Sequence, residues 1–130
     1  MADLTKKKIL VVDDEEEALL HLTHILQRAN YEVFSATRGS EALNSARLNL
    51  PDLVILDVVL PDMEGGDVAS TLAQGAATQD IPIIFLSGVI MEKGESILGQ
   101  KTGKHYIMAK PTTPDEILVM VKKVFDEIKP

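Results

Sequence analysis

Five side chains able to do chemistry each follow directly on a short apolar run. Asp13 and Asp14 follow Ile9-Leu10-Val11-Val12, Asp57 closes Leu53-Val54-Ile55-Leu56, Ser87 closes Ile83-Ile84-Phe85-Leu86, and Lys110 closes Tyr106-Ile107-Met108-Ala109. Unbroken runs of this kind read as strands buried on both faces of a parallel sheet, and such sheets bind ligands beyond the carboxyl ends of their strands. Singly, each polar residue is an ordinary turn former. All five at the same edge point to a site. Three carboxylates drawn together repel, so they either raise a pKa or hold a hard cation, and few oxygen ligands suit Mg²⁺. A carboxylate beside that ion can attack phosphorus, giving an aspartyl phosphate whose charge is screened by the metal and by a lysine ammonium. Asp57 is the expected nucleophile, with Asp13, Asp14 and Lys110 in support. Ser87 would donate its hydroxyl to a phosphoryl oxygen.

The elements that must position these residues alternate along the chain. A first helix is expected from Glu15 to Arg28, with Ala18, Leu19, Leu22, Ile25 and Leu26 as its apolar stripe and Asn30 as a left-handed cap. Tyr31 to Ala36 alternates with period two and reads as a strand nearer the sheet edge. A second helix starts at Gly39-Ser40 and reaches about Leu48, before Pro51. A third follows Gly65-Gly66 and ends near Gln74-Gly75. The stretch from Glu92 to Gly103 holds three glycines, so any helix there is short and weakly specified. The last helix opens with the capping-box residues Thr113 and Glu116 around Pro114. Five strand and helix pairs imply an α/β fold, a parallel sheet covered on both faces by right-handed crossovers. His21 and His24 read as solvated helix surface, and Lys6-Lys7-Lys8 as a solvated lead-in to the first strand.

Composition fits this plan. A chain of 130 residues, 45% of them hydrophobic, suits a single domain spanning 1–130. The net charge of −7 argues against a nucleic-acid surface, which needs cationic side chains facing phosphate. The absence of cysteine leaves no disulfide framework, and no apolar run approaches the ~20 residues of a membrane span. The start, Met1-Ala2-Asp3-Leu4, has no apolar signal region, and a cytoplasmic location is expected.

Val11-Val12-Asp13-Asp14-Glu15, Asp57-Val58-Val59-Leu60-Pro61-Asp62-Met63-Glu64-Gly65, Leu86-Ser87-Gly88 and Lys110-Pro111 stand in an order that resembles the receiver domain of two-component response regulators, closest in layout to the single-domain chemotaxis type. The resemblance covers nearly the whole chain. It implies a flavodoxin-like, doubly wound (βα)5 fold with five strands and five helices. It further implies that Asp57 accepts phosphate from a sensor histidine kinase or a histidine phosphotransfer protein. Asp14, Asp57 and the Val59 main-chain carbonyl would ligate Mg²⁺, with Asp13 acting through water, while Lys110 pairs with the phosphoryl group and its bond to Pro111 is cis. Such a domain is a phosphoryl-accepting signalling module rather than an enzyme in the ordinary sense. Its output would pass to a downstream effector protein or to another domain of a parent chain, with a phosphorylation-dependent dimer as one form of the response.

Departures from the family pattern bear on mechanism. The family's aromatic switch residue stands three positions before the lysine; Ile107 is found there, with Tyr106 one step earlier and so on the opposite face of a regular strand. Glycine replaces the common alanine at Gly88. Val59 and Val89 flank the phosphoryl site by resemblance, and neither can hydrogen-bond an attacking water, so slow self-dephosphorylation is expected. Two other readings compete: a pseudo-receiver that only docks proteins, and a haloacid-dehalogenase-type phosphatase. The phosphatase type carries a second acid two residues after its nucleophile, where Val59 stands here.

Overall fold

The computed structural model describes residues 6–87, 105–109 and 113–127. In chain order its elements are β1 (Lys8–Val12), α1 (Glu16–Arg28), β2 (Glu32–Ala36), α2 (Gly39–Asn49), β3 (Leu53–Asp57), α3 (Gly65–Gln74), β4 (Ile83–Ser87), β5 (His105–Ala109) and α4 (Pro114–Glu127). The stretch in which a weak helix was expected, 92–103, lies outside the described residues.

All five strands are parallel and lie in the order β2-β1-β3-β4-β5. This is the flavodoxin-like doubly wound order. The continuously apolar strand β3 takes the centre, and every one of its residues is buried. The mixed strand β2 takes an edge, as its alternation implied. Strand period two then sorts the core into two layers. Leu10, Val12, Val54, Leu56, Ile83 and Phe85 face Ala42 and Ala46 of α2 and Val68, Ala69 and Leu72 of α3. Ile9, Val11, Leu53, Ile55, Ile84 and Leu86 face Leu19, Leu22 and Leu26 of α1 and Ile117, Val121 and Val124 of α4. Each such aliphatic side chain contributes about 1.5–3 kcal/mol by leaving water, so the sheet is held from both sides.

Several helix ends follow local chemistry. Asn30, at φ 77°, takes the left-handed conformation beyond α1, and the Tyr31 amide turns back to the Leu26 carbonyl at 3.1 Å. That bond keeps Tyr31 out of β2, which begins one residue later than the alternation suggested. At α4, the Thr113 amide donates to Glu116 Oε1 at 2.9 Å and the Glu116 amide donates to Thr113 Oγ1 at 3.1 Å, a complete capping box. Leu50 ends α2 in the left-handed region at φ 48°, where the following Pro51 disfavours a further helical residue. The starts of α1 and α2 depart from this: Glu15 and Arg38 occupy the cap positions and their side chains cap nothing. Among the described residues no helix is long and apolar enough to cross a membrane.

Candidate functional site

Parallel register brings the acidic residues together. Val12 pairs with Leu56, so the next residues along, Asp13 just beyond β1 and Asp57 at the end of β3, stand side by side at the carboxyl edge. Asp13 is fully buried, and its Oδ1 accepts the Glu15 amide at 2.9 Å, which turns the chain into α1. Asp57 is 8% exposed and Asp14 is exposed. Carboxylate oxygens of Asp13, Asp14 and Asp57 lie within 4.8 Å of one another. Two full charges at that distance of 4.8 Å repel by roughly 1 kcal/mol in water and roughly 3.5 kcal/mol at an effective permittivity near 20. A hard divalent cation relieves this repulsion, and an all-oxygen donor set suits Mg²⁺ or Ca²⁺ rather than a softer metal.

Ser87 closes β4 at the same edge and is 2% exposed; the Val58 amide crosses to the Leu86 carbonyl at 3.1 Å, locking the exits of β3 and β4 together. Lys110 and Pro111 come next after β5 and, like Gly88 and Val89, lie outside the described residues. Of the predicted site residues, the structure therefore gathers Asp13, Asp14, Asp57 and Ser87 at the carboxyl edge. Val59 stands at the mouth of this edge and is 68% exposed.

The loop after Asp57 is tightly drawn. Val59 and Glu64 form an antiparallel bridge, and the Gly65 amide donates to the Val58 carbonyl at 2.7 Å. A Cβ on Gly65 would stand 2.6 Å from the Asp57 carbonyl oxygen and 3.0 Å from Val58 Cα. Glycine is what lets α3 begin this close to the acidic strand end. At the loop's far side, Asp62 Oδ1 accepts the Gly39 amide at 2.7 Å and Oδ2 accepts the Ser40 amide at 3.0 Å. The Gly39 bond, above all, holds the Asp62 carboxyl below the usual carboxylate range. Sequence alone marks Gly65 only as a helix opener and gives neither Gly65 nor Asp62 a role at the site. The run Asp62-Met63-Glu64-Gly65 marks a turn but carries no local sign of what its carboxylate reaches.

Tyr106 and Ile107 take opposite faces of β5. Tyr106 pairs with Ile84, packs on the α1/α4 layer and donates its hydroxyl to Glu127 Oε1 at 2.7 Å, which raises the phenol above its ordinary pKa. Ile107 pairs with Phe85 and packs on the α2/α3 layer. Tyr106 therefore does not occupy the face that Ile107 holds. His105 lies edge-on to Phe85, with ring centroids 5.7 Å apart; its Nδ1 is buried with no hydrogen-bond partner among the described residues, and burial holds its pKa below the ordinary value. His21 and His24 are exposed on α1, as expected.

A family model described as the response regulator receiver domain matches residues 9–122. The alkaline phosphatase synthesis transcriptional regulatory protein PhoP of Bacillus subtilis is 40% identical over 118 residues, covering 91% of this chain and 48% of that protein. The phosphate regulon transcriptional regulatory protein PhoB of Rhizobium meliloti is 36% identical over 123 residues, covering 95% of this chain and 54% of that protein. The chain thus spans about half the length of these relatives. Among solved structures, a CheY-like response regulator receiver domain protein of Methanospirillum hungatei superposes with a TM-score of 0.85 at 28% identity, covering 95% of this chain and 96% of that one. The chemotaxis response regulator CheY4 of Vibrio cholerae superposes with a TM-score of 0.81 at 28% identity, covering 92% and 99%.

Proposed function

The chain belongs to the response regulator receiver family, and from that premise we propose that Asp57 is the phosphoacceptor of a single receiver unit spanning residues 1–130. The observation that carries the assignment is the meeting of Asp13, Asp14 and Asp57 oxygens within 4.8 Å at the carboxyl edge that Ser87 also reaches. In the proposed step an Asp57 carboxylate oxygen attacks the phosphorus of a phosphohistidine on a sensor histidine kinase or histidine phosphotransfer protein. The new O–P bond forms as the P–N bond breaks, and the departing imidazole nitrogen keeps the electron pair and takes a proton. Asp13, Asp14, Asp57 and the Val59 main-chain carbonyl would hold Mg²⁺, Asp13 through water. When bound, the ion neutralises the gathered carboxylates and the charge arriving with the phosphoryl group.

Ser87, buried at the end of β4, donates its hydroxyl to a phosphoryl oxygen once that charge is present. Lys110 supplies a balancing ammonium; its role rests on the family match and on its place directly after β5. The protein is a signalling domain rather than an enzyme with a released product. Its output goes to a downstream effector protein or to the rest of a parent chain, with a phosphorylation-dependent dimer as a further form. A net charge of −7 supports an output without direct nucleic-acid contact by this domain, and the cytoplasm is the compartment proposed for it.

Intact-mass measurement after incubation with acetyl phosphate, with and without Mg²⁺, tests the assignment. The expected result is an Mg²⁺-dependent gain of one phosphoryl group that disappears in Asp57→Asn. No adduct under any condition, phosphotransfer donors included, makes the chain a pseudo-receiver that acts only by docking.

A further inference from the structure

Helix α2 has an end that its own sequence does not finish. Its cap residue Arg38 is extended and offers no side-chain acceptor, so the first amides of the helix need a partner from elsewhere. They find it in the loop that follows the phosphoacceptor. The two oxygens of Asp62 take the Gly39 and Ser40 amides, one each, at 2.7 and 3.0 Å. A carboxylate at this point also meets the positive end of the helix dipole. The next residue reinforces the contact: a Cβ on Gly39 would lie 2.6 Å from Met63 Sδ, so the Met63 side chain occupies the space that a larger first residue would need. Behind the contact, Ala42 and Ala46 bury α2 against the sheet. The loop is therefore fastened at two ends. Near Asp57 the Val59–Glu64 bridge and the Gly65–Val58 hydrogen bond close it, and at its tip Asp62 ties it to a helix packed on the core.

We propose that Asp62 is a positioning residue for phosphoryl transfer: by capping α2 across the loop, it fixes the main chain of residues 58–61, and with it the Val59 carbonyl, relative to Asp57. The catalytic consequence rests on the receiver reading above; the clamp itself does not. Short tethers of this kind matter because a metal-ligating carbonyl has no rotamer with which to correct a misplaced backbone. Residues that orient metal ligands typically change metal affinity by about 10–100-fold when removed.

The test compares Asp62→Ala and Asp62→Asn with the natural chain. Amide exchange at Gly39 and Ser40 reads the clamp. An Mg²⁺ titration followed through the amide resonances of residues 13, 14 and 57 reads the metal site. The rate of labelling by acetyl phosphate at limiting and at saturating Mg²⁺ reads the chemistry. In Asp62→Ala, exchange at both amides should quicken and Mg²⁺ affinity should fall by about tenfold, the lower end for such residues. The labelling rate should fall in step at limiting Mg²⁺ and recover largely at saturation. Asn keeps one oxygen acceptor but sets an NH₂ donor where the second carboxylate oxygen stood, so Asp62→Asn can hold only one of the two amides and should lie between Asp62→Ala and the natural chain. Should Asp62→Ala fail to fold, Asp62→Asn carries the comparison, with exchange quickened at the amide that loses its acceptor and Mg²⁺ affinity lowered by a smaller factor. Freed amides with unchanged Mg²⁺ affinity and rate would overturn the proposal. So would a fall in Mg²⁺ affinity with exchange at Gly39 and Ser40 unchanged, because the effect would then not pass through the cap. A natural chain that binds Mg²⁺ but is never labelled sinks the receiver reading while leaving the Mg²⁺ arm to judge Asp62; a natural chain that binds no Mg²⁺ overturns both.

Discussion

Replacing Gly65 by alanine adds a single methyl group where only backbone surrounds it. The new Cβ would stand 2.6 Å from the Asp57 carbonyl oxygen, 3.0 Å from Val58 Cα and 3.2 Å from the Val58 carbonyl oxygen, against an ordinary contact of at least 3.4 Å. Main-chain atoms cannot rotate aside, so the start of α3 must withdraw from β3 by roughly 0.8 Å, the difference between 3.4 and 2.6 Å. Forcing extra volume into a packed site costs about 1–3 kcal/mol. Against this, alanine in place of glycine in a helix gains about 0.5–1 kcal/mol. The central values leave a net loss of about 1 kcal/mol, which for a domain of this size lowers the Tm by roughly 3–5 °C. The same withdrawal strains the 2.7 Å bond from the Gly65 amide to the Val58 carbonyl and moves the main chain of the proposed phosphoacceptor. Labelling by acetyl phosphate, measured at a temperature where the variant is fully folded, should therefore slow as well. Thermal unfolding followed by circular dichroism decides the first part. An unchanged or raised Tm would show that helix propensity outweighs the contact, and the close-approach account of Gly65 would be wrong.

Two further outcomes are expected. His105 is held below its ordinary pKa by burial, so the unfolded chain takes up its proton first: stability from this group is intact above about pH 6.5 and declines as pH falls from there to the folded value. Denaturant titrations across that window should show the decline in the natural chain and a flatter profile in His105→Val; equal slopes would refute it. Val59 is 68% exposed beside the acidic edge, and its side chain offers an attacking water no hydrogen bond. Val59→Asn should shorten the lifetime of the phosphorylated form by about tenfold, read by intact mass after donor removal, and an unaltered lifetime would assign the control of hydrolysis to other groups.

What the sequence disclosed depended on how far each cause lay along the chain. The central place of β3 was legible because a strand covered on both faces needs apolar residues at every position, and residues 53–56 supply them. The ends of α1 and α4 were legible because Asn30, Thr113 and Glu116 act within a few residues of the helices they finish. The carboxylate cluster was legible in part: each acid ends an apolar run, and parallel pairing then brings the ends together. The cap on α2 was not, since its donors and its acceptor lie 22 and 23 positions apart and meet only in the folded state. Gly65 was read as a helix opener, whereas its deeper requirement is the carbonyl of Asp57 lying against it. For Tyr106, strand parity alone separated it from Ile107; the Glu127 partner that gives its hydroxyl a purpose comes from the far end of the last helix.

The placement of the two tyrosines has an optical consequence. The chain contains no tryptophan and two tyrosines, and both pack on the α1/α4 layer, Tyr31 with its ring 5.8 Å from that of Phe125 and Tyr106 hydrogen-bonded to Glu127. Near-ultraviolet absorption and intrinsic emission therefore sample one layer of the sandwich and are nearly silent about the other, where α2 and α3 flank the loop after Asp57. A tryptophan introduced at the exposed Leu48 of α2 would give that silent layer a voice, and would let the two halves of the molecule be watched separately by their different colours.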